Sequence, residues 1–256
     1  MVIQFSTPIV QHVASAVTLV TAGGNANRAL LDDAVAQLQI PDHVPATLCV
    51  RDGNAQSAII SAAHAQSYDL AIFGRLNQPI GRLLPGSRSK IVAQRLQPSV
   101  LRVHGRVRPL RRILVASGGD YHTFNDVRIT ARIAAPLGAE ATILHVISQQ
   151  SLIFEGLAPR SLSVEDFLTS NAPEAQTLRD AAAWLRRHAV PTQVRGRIGP
   201  VVDEILAELR VGGYDLLVIG AHRVTSPLDR ILLEDITDDL LDLSSLPVLI
   251  VKGDQY

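Results

Sequence analysis

"YDLLVIG", Tyr214 to Gly220, is an apolar run held between a Tyr-Asp pair and a glycine. A run this short, apolar throughout and bounded by turn residues, reads as a strand buried on both faces. Nearly the same words stand 146 residues earlier, as "YDLAIFG" at Tyr68–Gly74. Working outward, "RDGNAQSAII" from Arg51 matches "RIGPVVDEIL" from Arg197 at the same offset. "VLRVHG" from Val100 returns as "VLIVKG" from Val248, and "TLVT" from Thr18 pairs with "TILH" from Thr142, 124 residues on. Matches in one order along the chain mean that one unit is written twice. The basic linker "HGRVRPLRR", His104–Arg112, separates a domain at residues 1–108 from one at 109–256.

In the second copy, strands rich in Val, Ile and Leu alternate with amphipathic stretches. "RRILVAS" leads to the helix "TFNDVRITARIAAPLG", then to "AEATILHVI". The helix "APEAQTLRDAAAWLRRHA", the strand "TQVRGRI", the helix "PVVDEILAELRV", "YDLLVIGA", a further helix and "LPVLIVK" follow. Strands separated by helices make parallel sheets covered on both faces. The expected fold class is therefore α/β, two doubly wound parallel-sheet domains in tandem. At the 124-residue offset, "RRILVAS" maps to positions before Met1, so the first copy begins inside its first helix and lacks its opening strand. Two readings of this remain open: the true start lies upstream of Met1, or the domain has lost the strand. The second copy carries an insertion around 147–172, expected to be a flap, a partner surface or an ordered excursion.

Bulk properties narrow the function classes. The formal net charge is zero, which argues against a protein built to hold nucleic acid. The balance hides an asymmetry: residues 1–108 have 10 Lys+Arg against 5 Asp+Glu, the remainder 14 against 19. Cys49 is the single cysteine, so an internal disulfide and a four-cysteine metal site are both ruled out. No uncharged apolar stretch is long enough to span a membrane, and "MVIQFSTPIVQHVASAVTLV" has no charged leader. A cytoplasmic protein without membrane insertion is expected.

The strands "ILVAS", "ATILHVI", "TQVRGRIG", "YDLLVIGA" and "PVLIVK", with "YDLAIFGRLNQPIGRLLPGSRSKIVAQRLQPSVLRV" in the first copy, resemble the universal stress protein family. The resemblance implies adenine nucleotide alpha hydrolase-like domains with a five-stranded parallel sheet. It also implies dimerisation through the last strand. In one chain this becomes an intramolecular pseudo-dimer, with Val100–Val103 and Val248–Val251 antiparallel, and a further homodimer is open. A subset of the family binds ATP through G-x2-G-x9-G-[ST].

Carried onto this chain, that pattern places Gly74 first, Asn77 at the middle glycine, and Gly86-Ser87 at the end, one residue short of the family spacing. Gly86 would let phosphate approach the main chain, Ser87 would donate a hydrogen bond, and the helix starting there would point its positive end at the anion. Arg75, Arg82, Arg88 and Lys90 would add a favourable field. "GRLLPGS" is not a P-loop, because Ser87 stands where that motif needs Lys; the plain alternative is a turn that caps a helix. In the second copy Gly220 survives, Arg223 replaces the second glycine, and Glu234-Asp235 replace Gly-Ser. Two carboxylates there would cap the helix and repel phosphate. Gly118 stands where the family has an adenine-contacting Asp, and Asp120, two places late, is expected to cap a turn.

No histidine pair has metal-ligand spacing, Ser117 is in no nucleophile elbow, and no catalytic or metal site is expected. His122 beside Asp120 is expected to be an exposed turn pair, Cys49 a core residue, and Asp238, Asp239 and Asp242 a solvated helix face. Cofactor candidates are ATP or AMP, with no cofactor as the leading reading. The expected function is regulatory binding of protein partners during stress, mostly nucleotide-free. The alternative is adenine-nucleotide binding through Gly74, Asn77, Gly86, Ser87 and Arg88. A nucleotide hydrolase would need a base and a metal site that the sequence does not display.

Overall fold

The computed structural model describes residues 1–24, 27–76, 88–147, 163–221 and 236–253. The chain divides into two compact units, Met1–Arg108 and Pro109–Tyr256.

The second unit holds strands β5 (Arg112–Ala116), β6 (Glu140–Ile147), β7 (Thr192–Ile198), β8 (Leu216–Ala221) and β9 (Val248–Lys252). They run parallel in the order β9-β8-β5-β6-β7. Strand order reverses between β5 and β8, so the crevice of this doubly wound sheet lies at their carboxyl ends. Ile113, Leu114 and Val115 of β5 are fully buried, as are Leu216, Leu217 and Val218 of β8. The helices are α5 (Thr123–Leu137), α6 (Val164–Thr169), α7 (Pro173–Arg187) and α8 (Val201–Gly212), and 236–243 are also helical. Local chemistry sets their ends. Pro173 fits the first turn of α7, where its missing N–H costs nothing. Gly138 and Gly213 close α5 and α8 in the left-handed conformation that a side chain disfavours.

The Tyr-Asp pair that opens β8 organises the neighbouring elements. Tyr214 OH donates to buried Glu208 at 2.9 Å, and Arg195 and Arg197 reach the same carboxylate at 3.0 and 3.1 Å. One Oδ2 of buried Asp215 accepts the backbone N–H groups of Arg111 and Arg112 at 3.0 and 2.9 Å, fixing where β5 begins.

The described residues of the first unit follow the same layout without a counterpart of β5. It contains α1 (Val2–His12), β1 (Val17–Ala22), α2 (Arg28–Leu38), β2 (Ala46–Arg51), α3 (Ala55–Ala65), β3 (Leu70–Phe73), α4 (Arg88–Arg95) and β4 (Ser99–Arg102). Asn54 caps α3 by accepting the Ser57 N–H at 3.0 Å, while the Ser57 hydroxyl accepts from Asn54 N. Among the described residues strand β1 pairs only with β2, in parallel, and β3 pairs in parallel with β4. Among the described residues no strand lies between β1 and β3, the place that β5 holds in the second unit. The described residues of the first copy thus hold no counterpart of β5, in keeping with the repeat offset.

The difference shows in burial. Val17–Val20 are only half-buried, whereas Ala141–Leu144 in the repeat are buried; Leu70–Ile72 are half-buried against fully buried Leu216–Val218. Cys49, expected in the core, is half-buried because its strand belongs to a two-stranded sheet. Asp238, expected on a solvated face, is buried, while Asp239 and Asp242 of the same helical run are exposed.

Candidate functional site

In the second unit the crevice is formed first by the turn after β5. Ser117 is buried; its Oγ lies 2.7 Å from Thr123 Oγ1 and accepts the Gly119 N–H at 3.0 Å. Gly119 has φ +78, and a Cβ there would lie 2.8 Å from Glu174 Cβ, so the start of α7 passes directly over the turn. Gly119 is required both for its backbone conformation and for this approach. Gly118 is different: the nearest atom to a Cβ there would be Asp120 Oδ2, at 4.0 Å. Asp120 accepts the His122 N–H at 3.0 Å and so caps the turn. His122 itself is not the exposed turn residue the sequence suggests. Its side chain is buried, 3.8 Å from the Tyr121 ring centroid, and it is Tyr121 that faces solvent.

The insertion reaches this turn through β6. Helix α6 begins at Ser163, whose Oγ accepts the Asp166 N–H at 3.0 Å. His145 of β6 is register partner to Gly196 of β7, and α6 covers both. Phe167 stacks on His145 at 5.3 Å between centroids, and a side chain on Gly196 would collide with Val164. Arg179 ties the end of α6 to α7 by donating to the Leu168 carbonyl at 2.6 Å. The described part of the insertion is therefore an ordered excursion over the carboxyl-terminal part of β6 and β7.

His145 Nδ1 lies 3.0 Å from the Ser117 carbonyl, which only accepts, so the neutral ring carries its proton on Nδ1. Burial pushes the imidazole below its ordinary value; the Ser117 hydrogen bond and the Glu174 carboxylate oppose this without reversing it. A histidine with a lowered folded pKa contributes fully above its unfolded value of 6.5. Its contribution is lost as pH falls below that value, because the unfolded chain takes up the proton first. We expect denaturation midpoints of the second unit to fall between pH 7.5 and 5.5, by up to about 1 kcal/mol per pH unit from this one group. In His145→Phe that part of the slope should vanish.

In the first unit the five residues of the glycine pattern are reached unequally. Gly74 follows β3, and a Cβ there would lie 2.6 Å from Val2 Cγ2. The glycine lets the start of α1 pack against the end of β3, and an apolar methyl group, not a polar atom, is its neighbour. Arg88 lies in α4. Asn77, Gly86 and Ser87, and in the second unit Arg223, Glu234 and Asp235, lie outside the described residues. Among the described residues no cluster of His, Cys, Asp and Glu could hold a metal ion, and no helix is long and apolar enough to cross a membrane.

Residues 109–252 match the sequence profile of the universal stress protein family. The chain belongs to the universal stress protein family. Similar solved structures extend the fold over both units. A universal stress protein from Archaeoglobus fulgidus aligns with TM-score 0.64 and 16% identity, over 98% of this chain and 93% of its own. A functionally unknown protein from Pseudomonas aeruginosa gives 0.63 and 17%, over 93% and 82%. A putative universal stress protein from the same species gives 0.59 and 16%, over 94% of each. Curated protein sequences include no match.

Sequence reasoning missed His145 and Phe167, and named Ser117 only to set aside a nucleophile elbow. A lone histidine inside "ATILHVI" was the one visible signal, and the sequence gives no hint that an insertion residue 22 positions later would stack on it.

Proposed function

We propose that this universal stress protein is a regulatory interaction protein of the cytoplasm, acting in the stress response mostly without bound nucleotide and without turnover chemistry. One chain would supply the domain pair as a pseudo-dimer. The observation that carries the reading is that, among the described residues, no strand stands between β1 and β3. Among the described residues, the unit that retains Gly86-Ser87 has no counterpart of β5 against which an adenine could stack, and Val2 lies beside Gly74. Binding energy would come from protein surfaces, with partner choice set by differential affinity for conformations of the chain.

A second reading is favoured by one feature of the sequence. Gly86-Ser87, flanked by Arg75, Arg82, Arg88 and Lys90, has the composition of a phosphate loop for ATP or AMP. Calorimetric titration with ATP and AMP, beside Ser87→Glu, separates the two. The proposal expects no saturable heat from either protein at millimolar nucleotide. Binding by the parent that is lost in Ser87→Glu would overturn it in favour of the nucleotide reading.

A further inference from the structure

Helix α6 is held on the second unit by few contacts. It is six residues long and none of them is buried. A helix this short is not stable alone, so its order depends on docking. Val164 sits where a side chain on Gly196 would be, Phe167 stacks on His145, and Arg179 of α7 donates to the Leu168 carbonyl. The contact with His145 is the one that a proton can change.

The forces on the His145 ring come from different elements. Burial lowers its pKa, and Phe167 supplies part of that burial by covering a ring face. The Ser117 carbonyl, 3.0 Å from Nδ1, and the Glu174 carboxylate raise it. Ser117 follows β5 and Glu174 opens α7, so neither belongs to α6. Lifting α6 would admit water to the ring and leave both raising groups in place. The open form therefore holds the proton more tightly than the docked form, and proton uptake favours opening.

Other charges near the ring are turned elsewhere. Arg195 and Arg197 flank Gly196 in β7, and alternation points them to the opposite face, where they bind Glu208 and Glu204. Glu165 and Asp166 of α6 are exposed. In the turn after β5, Asp120 accepts the His122 N–H, and the His122 ring is buried beside Tyr121. Asp126 of α5 is buried. Among the described residues, Glu174 is the charged group that acts on His145.

We propose that α6 is a latch released by acid: protonation of His145 frees the helix and uncovers the notch at Gly196 on the carboxyl-terminal part of β6 and β7. In the neutral protein the uncharged ring bonds Ser117 on one side and packs against Phe167 on the other. The imidazolium keeps the first contact, but its charge requires water that the apolar cover excludes. The release is local, since β6, β7 and α7 keep their own packing.

Hydrogen exchange of the full chain tests this at the amides of Phe167 and Ser170, which donate to the carbonyls of Ser163 and Phe167. After correction for the intrinsic pH dependence of exchange, their opening constant should rise about three- to tenfold from pH 7.5 to 5.5. Low urea should leave it unchanged, and the amides of Leu178 and Leu185 in α7 should stay about a hundredfold slower at both pH values. His145→Phe should abolish the rise. His145→Gln should do so too while keeping a donor for the Ser117 carbonyl. Glu174→Gln should move the rise to lower pH, because the imidazolium loses its nearby carboxylate. The same rise in both His145 variants would overturn the proposal. So would α6 amides that exchange only as slowly as those of α7, since the helix would then open only with the whole unit. Slower exchange of α6 at pH 5.5 would also overturn it, by showing that the Phe167 ring holds the cation instead of releasing it.

Discussion

Replacing Asp215 by Ala should destabilise the second unit by about 2–4 kcal/mol, because two backbone N–H groups at the head of β5 lose their only described acceptor. The side chain is buried, so water cannot readily replace it. Asp215→Asn should cost much less, about 1 kcal/mol, since one amide oxygen in the place of Oδ2 can accept both bonds. Trp184, the sole tryptophan, lies in α7 of this unit, so its emission during urea unfolding follows the unit affected. Equal losses for the Ala and Asn variants would show that charge, not hydrogen bonding, is what the site requires.

The second large effect is expected at Leu114. It is fully buried in the central strand, and Leu114→Ala should cost about 3–5 kcal/mol as lost apolar burial plus a cavity that the surrounding sheet cannot close. Ile72→Ala in the first unit removes as large a group but should cost only about 1–2 kcal/mol, because Ile72 is already half-exposed beside the open position. Trp184 emission reports the first substitution, and exchange of the amides of β4 reports the second. Equal costs would mean that the first unit is packed as tightly as the second, against the burial seen here.

These asymmetries mark how far the sequence could be read. The repeat of "YDLAIFG" and "YDLLVIG", with the shorter offset between "TLVT" and "TILH", was sufficient to give two α/β units and the missing strand. Strand identity follows from local runs of apolar residues, and the offset counts residues without needing a contact. What was not legible is tertiary. His122 follows Asp120 in a glycine-rich turn and looks exposed, yet the start of α5 carries it inward. Asp238 shares a helical run with Asp239 and Asp242, and one helix turns the first inward while the others face water. Cys49 lies in an apolar strand, but its burial depends on a sheet partner that the first unit lacks. The covering of His145 by Phe167 depends on how the insertion folds back, which apolar periodicity does not encode.

The Tyr-Asp pair shows both sides of this. As sequence it is a repeated word before a strand. In the second unit it becomes a device: Tyr214 and Asp215 are buried and bind Glu208 and the head of β5. In the first unit Tyr68 is half-buried and Asp69 exposed, because the strand that the pair serves is not there.

The most direct measurement is native-state hydrogen exchange resolved to single amides along β1, β3, β6 and β8. If the first unit holds an open strand position, Thr18, Val20, Leu70 and Ile72 should exchange fast while Val17, Leu19 and Ala71 between them are slowed. The repeat amides at Thr142, Leu144 and Val218 should be among the slowest in the chain. Uniform protection along β1 and β3, matching that of β6 and β8, would contradict the account.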